Sequence, residues 1–316
     1  MRALVQDGRE AAGALRPAPP WRCPYCAFPL EGRWEGLFCP AEERFFSAGG
    51  GVARLLPEGR RREMRPLLEL YQRIRRDEGW RAEPGLPDVP ATHPRASLWA
   101  RRARHFHLGV ALARAALGPG PWRVLEVGAG SAWASLRLLE EGHAVVATDV
   151  SLDAEDGLLA PNRFLADPLR LPRAEAEMDA LPLAAASFDL VLAAGCLHYA
   201  PDPTRALIEL RRVASRGGVL LVLDSPVYSR VADGETMVAA RRREHAARYG
   251  VAEERLPPSG FLPLPALSSL FEGAGFRLEV HGWPGPWREA ARDVLERLRH
   301  GRRTARFPVL LGHRRG

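Results

Sequence analysis

The residues with the clearest chemistry lie in one run, Val124-Leu-Glu126-Val-Gly128-Ala129-Gly130-Ser-Ala132. An apolar, strand-like stretch enters a glycine-rich turn and leaves it in a helical pattern. Glycines at 128 and 130 let the backbone turn tightly and approach a ligand closely. The helix that follows opens with N–H groups that have no partner inside it, and these can face the same ligand. About 20 residues on, a second apolar run ends at Asp149-Val150, where a carboxylate can accept hydrogen bonds from ribose hydroxyls. This layout suits a nucleoside-bearing ligand. A dinucleotide site requires Gly-x-Gly-x-x-Gly, whose third glycine permits close helix–strand contact. Trp133 stands in that place, which argues against a pyrophosphate-bearing cofactor.

A second group with evident chemistry is Cys23-Pro-Tyr-Cys26, followed after twelve residues by Cys39. Three thiols at this spacing form the greater part of a structural zinc site, which takes four ligands. The fourth cysteine of a ribbon is replaced, since the chain reads Cys39-Pro-Ala-Glu42-Glu43. Glu42, with Glu43 as its neighbour, is therefore the candidate fourth ligand. The alternative is a metal-free ribbon held by Trp21, Trp34, Phe38, Phe45 and Phe46. Zinc is the favoured expectation, because a unit of roughly 40 residues seldom holds a core without a staple. Cys196 stands alone, and clustered unpaired thiols fit a reducing compartment.

The elements that must position these groups can be read from periodicity. Met64, Leu67, Leu68, Tyr71 and Ile74 repeat at helical spacing, as do Phe106, Val110, Ala113 and Leu117. From Trp122 onward, short apolar runs (Val124–Val127, Ala144–Thr148, Leu190–Ala194, Val219–Leu223) alternate with helical stretches near Ala132–Glu141 and Thr204–Ala214. Continuous apolar strands are those buried on both faces of a parallel sheet, and the alternation implies right-handed crossovers. An amphipathic helix is expected over Trp287–Leu298 and a last strand over Phe307–Gly312. The expected organisation is a lead-in (1–20), a ribbon-like module (21–57), a helical linker or cap (58–120) and an α/β domain (121–316) with a lid insertion near 225–261.

The glycine-rich run resembles motif I of class I S-adenosylmethionine-dependent methyltransferases. That motif carries an acid two residues before its first glycine, here Glu126, and Ala132 stands for its last glycine. Further segments continue the resemblance toward the ubiquinone/menaquinone-methyltransferase-like branch: Glu177-Met178-Asp179-Ala-Leu-Pro182, Ser187-Phe-Asp-Leu-Val191, Leu197-His198-Tyr199, Pro201-Asp-Pro203 and Gly217-Gly218-Val219. Together they cover residues 122–224 in order. The resemblance implies a Rossmann-like sheet of seven strands, the last antiparallel and inserted. It also implies S-adenosylmethionine as cofactor, contacts from Glu126, Gly128, Ala129, Gly130, Asp149, Val150 and Gly195, and adenine contacts from Met178 and from Glu177 or Asp179. The cysteine unit resembles zinc-ribbon modules that accompany methyltransferases, including the N-terminal domain of bacterial ribosomal-RNA guanine methyltransferases.

In such sheets ligands gather at the carboxyl ends of the strands, which brings the methyl acceptor near Gly195–Tyr199 and Asp224–Tyr228. His198 is the candidate general base, with packing against the ligands as its alternative role. A small-molecule acceptor is the expectation. RNA is the rival partner, suggested by the cysteine unit and a net charge of +7. All 45 Lys+Arg residues are arginine, which fits a coding bias across the whole chain better than a phosphate-binding face. A non-catalytic, cofactor-binding partner protein is the third reading. No apolar run reaches the roughly 18 residues of a membrane span, and no signal-peptide pattern opens the chain, so a soluble cytoplasmic protein is expected.

Overall fold

The computed structural model describes residues 19–33, 35–256, 260–283, 287, 291, 292, 294–296, 298 and 303–316. Most of the expected lead-in, Trp34 and part of the helix expected over Trp287–Leu298 lie outside the described residues. Among the described residues no helix is long and apolar enough to cross a membrane.

The α/β part is built on β5 (Arg123–Val127), α3 (Trp133–Glu140), β6 (Ala144–Asp149), β7 (Arg173–Glu175), β8 (Phe188–Ala194), α4 (Pro203–Val213), β9 (Ala214–Leu223), α6 (Leu264–Gly273), β12 (Phe276–His281) and β13 (Val309–Arg314). Their spatial order is β7-β6-β5-β8-β9-β13-β12. The first five are parallel. β13 runs antiparallel to both β9 and β12 and lies between them. This is the seven-stranded arrangement with an inserted last strand that the resemblance implied. Val124, Leu125, Leu190, Val191, Leu220 and Leu221 are fully buried, as strands covered on both faces must be.

The ribbon does not stand apart from this sheet. β1 (Glu31–Arg33), β2 (Gly36–Cys39) and β3 (Arg44–Gly49) form an antiparallel meander that ends in β4 (Val52–Ala53). β4 pairs in parallel with β7, Val52 opposite Arg173 and Ala53 opposite Ala174. All eleven strands therefore form one sheet. Trp21, Cys23, Cys39 and Phe46 share a core with Ala174, Ala176, Leu181 and Leu183. Backbone bonds from Arg22 N–H to Pro182 and from Ala184 N–H to Pro20, each 2.9 Å, close the seam.

Two long helices follow the ribbon, α1 (Glu58–Asp77) and α2 (Ala96–Leu117). Trp99, Phe106 and Val110 of α2 pack on the face that carries Trp133, Leu221 and Leu223. The insertion expected near 225–261 folds as β10 (Val227–Tyr228) and α5 (Val231–Tyr249), and β10 pairs in parallel with β11 (Leu262–Pro263). From α5, Arg241 and His245 each lie 3.7 Å from Glu78, at the end of α1.

Candidate functional site

The turn after β5 is shaped by backbone conformation. Gly128 and Gly130 have φ of 58° and 51°, in the left-handed region that disfavours side chains. At Gly128 space is a further constraint, because a Cβ there would lie 2.4 Å from the Cβ of Cys196. Ala132 also has a positive φ, 53°. This explains why a glycine is usual at that motif position, since an L-residue held there costs roughly 1–2 kcal/mol. The bulk of Trp133 meets no conflict, because its ring packs edge-on against Trp99 and Phe106, at 5.8 and 5.4 Å between centroids.

Two carboxylates brace this turn. Asp149, at the end of β6, accepts from Gly130 N–H at 2.8 Å and from Ser151 N–H at 2.7 Å, one bond to each oxygen. Each oxygen keeps acceptor capacity for a ligand hydroxyl. Burial pushes its pKa up, while the backbone bonds pull it down. Glu126 is buried, and its Oε2 accepts from the N–H and the hydroxyl of Ser135 in α3, at 2.8 and 2.5 Å. Burial pushes its pKa up to about 7 against the pull of Ser135. The acid of the motif thus braces the helix that follows the turn. Val150 directly follows Asp149 and is half-buried.

After β7 the three adenine-side candidates separate. Glu177 is held by Arg60 of α1, which donates to both of its oxygens at 3.1 and 2.7 Å. Met178 packs against the core. Asp179 lies 3.3 Å from Arg205 of α4. Glu175, which the motifs do not single out, is buried at the end of β7 beside Asp149. Arg61 clamps it at 2.8–3.1 Å.

At the ends of β8 and β9, Gly195 has φ 74°. Cys196 is buried and donates to the Val127 carbonyl at 3.1 Å. His198 pairs with Ser225 at 3.3 Å and lies against Tyr199. Burial, with Arg241 and Arg102 nearby, lowers its pKa to about 3. The ring is therefore neutral near pH 7 and a weak base, whereas an efficient base titrates near the working pH. Asp224 is buried at a strained φ of 52°. His105 of α2 meets one of its oxygens at 2.9 Å, and Arg102 lies 3.6 Å from the other. The strand end was legible in the sequence, but these partners more than 100 residues away were not.

In the ribbon, the sulfurs of Cys23, Cys26 and Cys39 lie within 4.8 Å of one another, Cys26 and Cys39 being 3.6 Å apart. Tetrahedral zinc at about 2.3 Å from each sulfur would separate them by about 3.8 Å, so the donor set fits three of four zinc ligands. The carboxylate of Glu42 is exposed and does not belong to the group among the described residues.

The methyltransferase domain family matches residues 125–222. Residues 125–222 are a methyltransferase domain. A malonyl-[acyl-carrier protein] O-methyltransferase of Halorhodospira halophila is 33% identical over 184 residues, 55% of this chain and 57% of that protein. An uncharacterized protein of Mycobacterium tuberculosis is 38% identical over 114 residues, 36% of this chain and 40% of that protein. The chain thus spans less than two thirds of the length of these curated relatives. A Galdieria sulphuraria structure described as that of a sarcosine dimethylglycine methyltransferase superposes with a TM-score of 0.51 at 15% identity, over 78% of this chain and 98% of that one. It shows the shared fold. The matched segment begins in the strand that feeds the glycine turn and ends in β9, so it contains Asp149, Glu177 and His198 and leaves the ribbon, α1 and α2 outside the match.

Proposed function

We propose that this protein transfers a methyl group from S-adenosylmethionine to a small-molecule acceptor. The observation that carries the reading is the turn itself, in which two glycines are left-handed and the second, Gly130, donates to Asp149 at the carboxyl edge of the sheet. In this reading Asp149 receives the ribose hydroxyls. Gly128–Gly130 and Gly195 line the path of the methionine portion, and Val150 and Met178 flank the adenine ring. Glu177 receives the adenine amino group, in the place the motif alignment gives it, in exchange for its pairing with Arg60; Asp179, beside Arg205, is the alternative acid.

S-adenosylmethionine supplies an electrophilic methyl carbon. The chain aligns the acceptor with the S–C bond and excludes water, so orientation carries most of the catalysis. His198 is neutral and orients the acceptor, with Asp224 and Ser225 on the neighbouring strand end. The O-methyltransferase name of the Halorhodospira relative favours an oxygen acceptor. The ribbon carries four arginines and four glutamates over residues 21–57; with no net positive charge to attract phosphates, it favours the small-molecule reading. Motif order favours the ubiquinone/menaquinone-like branch, and free thiols favour a cytoplasmic setting.

Calorimetry with S-adenosylhomocysteine tests the cofactor site. Wild type is expected to bind, Asp149→Asn to bind about 10-fold more weakly and Asp149→Ala about 100-fold, since hydrogen bonds to a charged group contribute about 1.5–3 kcal/mol each. Absence of wild-type binding at high micromolar ligand would sink the reading.

We also assign zinc to Cys23, Cys26 and Cys39, with Glu42 or its neighbour Glu43 able to swing in as the fourth ligand. Metal analysis is expected to find one zinc per chain, lost in Cys39→Ser with a lower melting temperature, because the ribbon core is continuous with the sheet. Metal-free wild-type protein that melts like the untreated sample would count against the assignment.

A further inference from the structure

Helix α1 lies across the carboxyl ends of β6 and β7 and is pinned there by four polar contacts. Arg60 takes both oxygens of Glu177, and Arg61 takes both oxygens of Glu175. One face further along, Gln72 donates to the Ser151 hydroxyl at 3.4 Å, and Arg75 donates to Asp156 at 2.6 Å. Tyr71 meets Tyr199 edge-on, with 6.2 Å between ring centroids. These contacts fall on the segments that follow β6, β7 and β8, where the cofactor is proposed to bind. Only a narrow cleft, lined by Tyr71, Gln72, Arg75, Ser151, Asp153 and Asp156, separates α1 from residues 151–156.

The pins differ in kind. Arg61 clamps a carboxylate that is 2% exposed, and the Arg75–Asp156 pair is largely buried. Breaking either would strand a buried charge. The Arg60 side chain is 49% exposed and Glu177 20%, so that pair is screened by water and salt and is the easiest to part. It also sits on the one acid that the adenine amino group would need. Arg60 has a second partner, Glu63 at 2.5 Å, to which it can turn without losing its ion pairing.

We propose that the Arg60 side chain of α1 is the gate of the cofactor site and sets its affinity, by holding the Glu177 carboxylate in competition with the adenine amino group. The proposal rests on the reading of Glu177 given above. In this scheme α1 stays seated through Arg61 and Arg75, and the moving part is the Arg60 side chain, which turns from Glu177 to Glu63. Because the competitor is an exposed cation, its removal favours the ligand, a sign opposite to the usual effect of deleting a residue beside a binding site.

The test uses the full chain and S-adenosylhomocysteine, with affinity read by calorimetry and association by tryptophan fluorescence. Arg60→Ala and Arg60→Gln are expected to bind about two- to five-fold more tightly and to associate faster, in keeping with the small contribution of an exposed pair. Raising salt is expected to tighten binding to wild type but not to the variants. Unchanged or weaker binding in both Arg60 variants, with Glu177→Ala weakened, overturns the gate and leaves the adenine reading in place. Unchanged binding in Glu177→Ala, with Asp149→Ala weakened, overturns the adenine role of Glu177 and the gate with it. Absence of binding to wild type overturns the cofactor site as a whole.

Discussion

Replacing Arg173 by Met is expected to lower the free energy of unfolding by roughly 3–5 kcal/mol, several buried acceptors each losing a donor at about 1–3 kcal/mol, read as a fall in the urea midpoint at unchanged slope. Arg173 is 1% exposed. Burial alone shifts it, down to about 10, so it stays charged at neutral pH. Oxygen dipoles take the place of a counter-ion: the carbonyls of Leu171, Leu158, Gly50 and Pro168 and the Asn162 side chain accept from it at 2.6–3.1 Å. Methionine fills similar volume but donates nothing, so a set of buried acceptors loses its donor. The effect is structural and local to one junction. Arg173 joins the ribbon turn at Gly50, the loop from 158 to 168 and the first residue of β7, whose last residue is Glu175. Arg173→Lys keeps the charge but reaches fewer oxygens, and is expected to fall between the two. A Met variant within about 1 kcal/mol of wild type would show that the acceptors rehydrate at no cost.

The sequence disclosed those parts of the site whose partners are near in the chain. Glycines at 128 and 130 declare a turn because only glycine takes those angles without cost. Cys23, Cys26 and Cys39 mark a candidate metal site, because short spacing brings their sulfurs together. The strand and helix alternation from 122 to 224 was legible for the same reason, each element being set by a local period. What stayed hidden were pairings across the chain. The periodicity of α1 marks its apolar side but carries no address, so Arg60 and Arg61 read as solvent-facing charges. In the fold they meet Glu177 and Glu175, 117 and 114 residues away. The pairing of β4 with β7 was hidden likewise, because a two-residue strand leaves no alternation to read. Glu126 shows a different limit. Its type and position fit the motif, but one sequence cannot tell a carboxylate that meets a ligand from one that caps its own helix.

That orientation of Glu126 has a consequence for stability. Its carboxyl titrates near 7 in the fold, raised from 4.5 by burial. Below pH 4.5 the group is protonated in both the folded and unfolded chain and contributes nothing to pH dependence. Between 4.5 and 7 the unfolded chain releases the proton while the folded chain keeps it, so the unfolded state binds fewer protons and stability falls as pH rises. Above 7 both forms are ionised and the loss is complete, at roughly 3 kcal/mol. Glu126→Gln removes the titration and keeps an oxygen for Ser135 N–H. Its stability relative to wild type is therefore expected to rise by roughly 3 kcal/mol from pH 4.5 to pH 8, measured by urea unfolding across that range. Parallel pH profiles for the two proteins would mean that water or a neighbouring group solvates the carboxylate in the fold. No cation pairs with Glu126 among the described residues; Ser135 alone offsets part of what burial takes away.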